Sequence, residues 1–96
     1  MPLLSTTELS QSLSSLPGWK ESDGALEQSF EFKDFVAAMH FVNSVAEAAE
    51  QAGHHPDIDI RYNKVHLTLS SHDSGGVTER DTALAADIAK IPTSGS

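Results

Sequence analysis

Three histidines, His54, His55 and His72, carry the chemistry that this chain offers. An imidazole, with an unperturbed pKa of about 6.5, both gives and takes protons near neutrality. Two or three of them around one pocket suit a reaction that needs proton delivery without a covalent nucleophile or a redox centre. Elimination or addition of water is such a reaction. Gly53 precedes the histidine pair, and Ser70, Ser71 and Asp73 flank His72. Glu50 lies one helical turn before His54 and could orient it. Asp81 reads first as a helix cap, with a role at the site second.

Three histidines can also bind zinc with water in the fourth position. Adjacent residues on an extended segment point to opposite sides, however, so His54 and His55 are poorly placed to share one ion. Metal-free acid–base chemistry is therefore the favoured reading, with no cofactor and no metal. Alone, a His-His pair is better explained by a polar connector between helix and strand. What lifts it above that is a hairpin that brings His72 alongside.

In that hairpin Ile58, Ile60 and Tyr62 alternate with Asp57, Asp59 and Arg61, and Val65, Leu67 and Leu69 alternate with His66, Thr68 and Ser70. Period-two patterns mark half-buried strands. Taking Asn63-Lys64 as the two-residue turn sets Tyr62 against Val65, Ile60 against Leu67 and Ile58 against Leu69, all on one face. A slip of one residue would turn the apolar set of one strand outward. Continued to the open end, this register sets His55 opposite His72, where Cβ atoms are about 4.5–5.5 Å apart.

The remaining elements follow in order. Ser5, Glu8, Leu9, Leu13 and Leu16 give a short capped helix ended by Pro17-Gly18. Trp19 opens a strand, Ser22-Asp23-Gly24 turns it, and Leu26 to Phe32 returns with Leu26, Phe30 and Phe32 on one side and Gln28 as the polar exception. Asp34 to Gln51 is a helix of about five turns with a stripe of Phe35, Met39, Val42, Ala46 and Ala49, widened by Val36, Ala38 and Val45. Gly53 ends it. Thr78-Glu79-Arg80-Asp81 starts a last helix through Leu84, Ile88 and Ile91 to Pro92, after which Thr93 to Ser96 fray. His40 and His66 read as surface or subunit-contact residues, Phe30, Phe32, Phe35 and Met39 as core, and Gly75-Gly76 as a connector. The order α-β-β-α-β-β-α implies an α+β fold, a four-stranded antiparallel sheet covered on one face by helices.

Composition narrows the classes. Ninety-six residues make a single domain, 1–96. Fourteen acidic against six basic residues, a net charge of -8, argue against a nucleic-acid partner, which needs clustered Lys and Arg. The absence of cysteine excludes disulfides, thiolate metal sites and a cysteine nucleophile. No apolar run is long enough to span a membrane, and no secretory signal opens the chain, so a cytoplasmic protein is expected.

Glu50-x-x-x-His54-His55-Pro56, followed by Tyr62, His72 and Asp81, resembles the signature of the pterin-4a-carbinolamine dehydratases. Leu16-Pro17-Gly18-Trp19, Phe30-x-Phe32-x-x-Phe35, Tyr62-Asn63-Lys64-Val65 and Gly75-Gly76-Val77-Thr78-Glu79 extend the likeness from about Leu9 to Ile88. It implies an enzyme that removes water from 4a-hydroxytetrahydropterin to give the quinonoid dihydropterin, in support of tetrahydropterin recycling. His54 and His72 would then be the acid–base groups. His55 would help hold the pterin, and Gly53 with Ser70-Ser71-His72-Asp73 would line the site. The resemblance also implies a homodimer or homotetramer, joined through sheet edges and long helices. Gly53 stands where some relatives carry an acidic residue, Ile58 where animal members have an aromatic, and Ser71 where Thr is common. A non-catalytic assembly or transcription-coactivator module on the same fold is the competing reading, and such a module would be expected to have lost one of the three histidines.

Overall fold

A computed structural model of the chain describes residues 2–92. Helix α1 (Thr6–Ser14) begins at a reciprocal cap. Ser5 Oγ accepts the Glu8 N–H at 3.1 Å while the Glu8 carboxylate accepts the Ser5 N–H at 2.8 Å. Strands β1 (Lys20–Ser22) and β2 (Ala25–Glu31) meet at Asp23-Gly24, both with positive φ, as a tight hairpin requires. Helix α2 (Phe35–Ala52) starts where Asp34 accepts the Ala37 N–H at 2.8 Å and stops at Gly53, whose φ of +64° is left-handed. Strands β3 (Asp57–Arg61) and β4 (Lys64–Leu69) follow, then a 3-10 turn (His72–Ser74) and helix α3 (Glu79–Ala89).

The element order is the expected one, and the sheet is antiparallel in the order β1-β2-β4-β3. The two hairpins thus lie side by side with β2 and β4 central. Leu26, Val65, Leu67 and Leu69 on the sheet's inner face meet Ala38, Phe41 and Val45 of α2 and Leu84, Ala85 and Ile88 of α3 in one buried cluster. Gln28, the polar exception on this side, lies against the chain at Gly18. A Cβ there would sit 2.4 Å from Gln28 Nε2, so only glycine leaves room without moving that side chain. No helix among the described residues is long and apolar enough to cross a membrane.

Three local expectations are corrected. In α2 the buried face is Ala37, Ala38, Phe41, Val42, Val45 and Ala49, whereas Phe35 and Val36 are 47% and 60% exposed and Ala46 is exposed. The helix is apolar on more than one side, so spacing alone picks no single stripe. Phe41 decides it by packing against Phe30 and Phe32 with tilted rings, centroids 4.6 and 5.0 Å away.

The β3–β4 turn is Tyr62-Asn63, not Asn63-Lys64. Ile60 faces Val65 and Ile58 faces Leu67, two positions off the register expected from sequence. Asn63 is what moves it: its side chain donates to the Phe32 carbonyl at 2.8 Å, and its own carbonyl accepts the Phe32 N–H at 2.9 Å. Tyr62 takes the left-handed position, φ +55°, and is 66% exposed rather than facing the core. A shift of two keeps the same faces together because the side-chain period is two. It does not keep His55 opposite His72; extended outward, the observed register sets Ser70 there. Helix α3 ends at Ala89, short of Pro92, and the fraying expected for Thr93 to Ser96 falls outside the described residues.

Gly53 connects the longest helix to the histidine pair, and no atom lies within 4 Å of where its Cβ would be. Gly53→Ala therefore carries left-handed strain without a clash, and is expected to lower unfolding free energy by about 1 kcal/mol in urea titrations, with Gly53→Asn costing less. Equal stability of all three chains would contradict the cap.

Candidate active site

The last pair of the β3–β4 ladder is Asp57 with Thr68, so the connector before β3 and the segment after β4 leave the sheet at one end. His54-His55 lie on the first and Ser70-Ser71-His72 on the second, and α3 begins nearby. The candidate residues are thus gathered at one mouth, by strand ends rather than by direct pairing.

Asp81 sits at the centre. It is 0% exposed, and each of its oxygens is satisfied. Oδ2 accepts the Thr78 N–H at 2.9 Å, which closes the capping box of α3, and the Ser71 hydroxyl at 2.9 Å. Oδ1 meets His54 Nε2 at 2.6 Å. The Ser71 and Thr78 hydroxyls are joined at 2.8 Å. A carboxylate only accepts, so Nε2 of His54 carries the proton and donates it to Asp81. The other ring nitrogen, Nδ1, then has its lone pair free. It has no protein partner among the described residues, and the His54 side chain keeps 10% exposure. The arrangement is that of a base held in one tautomer by a buried acid. Asp81 both caps α3 and holds His54, the cap that the sequence puts first and the site role that it puts second.

Glu50 does not orient His54. Its carboxylate bonds His55 Nε2, and both side chains are exposed, 77% and 61%. Gly53 bends the chain so that His54 turns inward and His55 turns out, back over the end of α2. His72 is exposed on the 3-10 turn and makes no side-chain hydrogen bond among the described residues. Ser71 is 1% exposed, so it lies under the mouth as a partner of Asp81 rather than at its surface. The Ser70 hydroxyl donates to the Gly24 carbonyl at 3.3 Å and ties the mouth to the β1–β2 turn. Among the described residues no three His, Asp or Glu side chains converge as metal ligands.

Sequence reasoning missed two parts of this site. One is the Ser71–Thr78 hydroxyl pair, which the Ser-x-x-acid rule for a helix start does not reveal. The other is Arg80, whose Nη2 donates to Asp73 Oδ1 at 2.7 Å. That contact holds the Asp73 carboxyl below the usual carboxylate range. It also straps the turn that carries His72 to the helix that carries Asp81. The chain doubles back through a 3-10 turn between these residues, so no fixed spacing in the sequence announces the pair.

The family model described as pterin 4 alpha carbinolamine dehydratase matches residues 2–91. A protein of Acidobacterium capsulatum, provisionally named a pterin-4-alpha-carbinolamine dehydratase, is 60% identical over 92% of this chain and 96% of its own length. A provisionally named relative from Koribacter versatilis is 56% identical over 92% and 94%. Among solved structures, a transcriptional coactivator/pterin dehydratase from Brucella melitensis is similar with a TM-score of 0.86 and 38% identity, covering 91% of this chain and 95% of that one.

Two outcomes are expected from this geometry. In ¹⁵N NMR, neutral His54 should show Nε2 protonated and Nδ1 bare; Asp81→Asn should lose that pattern and about 1–3 kcal/mol of stability, the cost of unsatisfying buried donors. A wild-type His54 with the proton on Nδ1 would contradict the assignment. Arg80→Gln should raise the Asp73 titration towards the ordinary carboxylate range; an unmoved titration would mean that the ion pair does not persist in solution.

Proposed function

The chain belongs to the pterin 4 alpha carbinolamine dehydratase family, and we propose that it dehydrates 4a-hydroxytetrahydropterin to the quinonoid dihydropterin by histidine acid–base catalysis. The observation that carries this reading is His54 Nε2 held at 2.6 Å by the buried Asp81 carboxylate, which leaves Nδ1 as the free basic nitrogen. Nδ1 takes the ring N–H proton, and Asp81 stabilises the imidazolium that forms. His72, exposed and unpartnered, protonates the 4a-hydroxyl. The C4a–O bond breaks, water leaves, and the electron pair released at the ring nitrogen closes the C=N bond. Protons given and taken balance, so one relay of solvent protons resets both imidazoles.

His55, with Glu50 behind it, holds the pterin together with the backbone at Gly53 and the Ser70–Asp73 segment. Within that segment Ser71 serves the substrate only through Asp81, because it is buried. The chemistry needs no organic cofactor. The enzyme works as a homodimer or homotetramer in the cytoplasm and supports tetrahydropterin recycling. Exposed Phe35 and Val36 on α2 and Ile60 and Tyr62 at the free edge of the sheet are apolar surface that a second copy would cover. The competing assembly or coactivator reading is weaker, since such a module would be expected to have lost one of the three histidines, and His54, His55 and His72 are all present.

The test is the decay of chemically generated 4a-hydroxytetrahydropterin, followed by absorbance. The wild type should accelerate it; His54→Ala and His72→Ala should each lose most of the rate, about 100-fold or more, while His55→Ala mainly raises KM. No acceleration by folded wild-type protein, or uniform loss of binding alone in all three variants, would overturn the reading.

A further inference from the structure

The sheet's outer face, turned away from the helices, carries a second chemical grouping. The register sets three rows across β2, β4 and β3: Glu31 with Lys64 and Arg61, Ser29 with His66 and Asp59, and Glu27 with Thr68 and Asp57. His66 is at the centre. Its Nδ1 lies 2.6 Å from Ser29 Oγ and its Nε2 2.9 Å from Glu27 Oε1. Glu27 can only accept, so Nε2 carries the proton. Nδ1 therefore holds a lone pair, and the Ser29 hydroxyl must be the donor to it. The polarity is fixed throughout: carboxylate, imidazole, hydroxyl.

That is the order of an activated serine nucleophile, with the two ring nitrogens exchanged relative to the usual serine hydrolase, and such groupings are recognised by geometry and role. The neighbours fit. Ser29 is exposed, whereas His66 and Glu27 are 37% and 26% exposed, so the base is partly shielded and the nucleophile open. A depression of about 420 Å³ lies over the group, lined by Ser29, Glu31, Asp59, Arg61, Lys64 and His66. Lys64 stands diagonally across from Ser29, within reach of a long side chain, and forms no ion pair among the described residues. It is the cation available to a developing oxyanion.

The geometry points to Ser29 as a second, base-activated nucleophile that accepts acyl groups from short, activated esters. Ser29 Oγ bonds the acyl carbon while its proton passes to His66 Nδ1. The tetrahedral oxyanion faces Lys64. The alkoxide leaves with the proton from Nδ1, giving acyl-Ser29 and an alcohol. Water, deprotonated by His66, then releases the carboxylic acid and restores Ser29. The charged lining selects short polar acyl groups over lipid chains. This activity is independent of the dehydratase reading, since no residue is shared.

The test uses the full chain with a fluorophosphonate probe and p-nitrophenyl acetate. Labelling should fall on Ser29 by peptide mapping, and ester turnover should drop about 100-fold or more in Ser29→Ala and His66→Ala, the usual weight of a nucleophile's general base. Glu27→Gln should give an intermediate loss. Ser29→Ala should leave pterin dehydration at the wild-type rate. The site of labelling is read on the wild-type chain, so the result stands even where a variant fails to fold. Labelling elsewhere, or a wild-type rate no greater than that of Ser29→Ala, would overturn the proposal and leave the group a cross-strand tie.

Discussion

A buried carboxylate is tolerated only when donors replace the water it has lost, and Asp81 is the place where this chain meets that condition. Its two oxygens take the Thr78 N–H, the Ser71 hydroxyl and the His54 ring N–H. Those donors come from the start of α3, the segment after β4 and the connector after α2. One side chain therefore fixes three separate segments, the connector at His54 lying 27 residues before it. It also fixes a tautomer. The Thr78 contact adds the helix N-terminus, whose partial positive charge favours an anion there. Removing any of the donors leaves a buried charge short of partners, which is why the site's chemistry and the fold's stability share one group.

The same arrangement explains why the two adjacent imidazoles differ. His54 and His55 are neighbours, yet the left-handed turn at Gly53 sends one inward to Asp81 and the other outward to Glu50. His72 belongs to a short 3-10 turn strapped at Asp73 by Arg80, the residue beside Asp81. The placement of His54 relative to His72 is thus governed by two bonds from adjacent positions on α3.

Much of this was legible in the residues. Alternation between Ile58 and Leu69, the capping boxes at Ser5 and Thr78, and Gly53 after a long apolar helix each state a local rule that tertiary structure did not override. The failures have physical causes. Asn63 reaches across to Phe32 on another strand, a contact that local turn preferences cannot foresee, and it moved the hairpin by two residues. Phe41 won the helix face from Phe35 because Phe30 and Phe32 pack against it. His54, His55, His72 and Asp81 were all visible as candidates. Their pairing was not, because Asp81 could have spent its carboxylate on the cap alone, and Glu50 is close enough in sequence to serve either histidine.

The central claim is that Asp81 makes His54 a catalytic base, and the most direct measurement is the dehydration rate of Asp81→Asn at substrate saturation, in protein shown to be folded. The amide keeps the size of the carboxylate and loses its charge. The expected result is a fall in kcat of about 100-fold or more, the weight of a general base, with KM little changed. A kcat within a few-fold of wild type would show that the Asp81–His54 pair serves the fold and that the catalytic proton moves elsewhere.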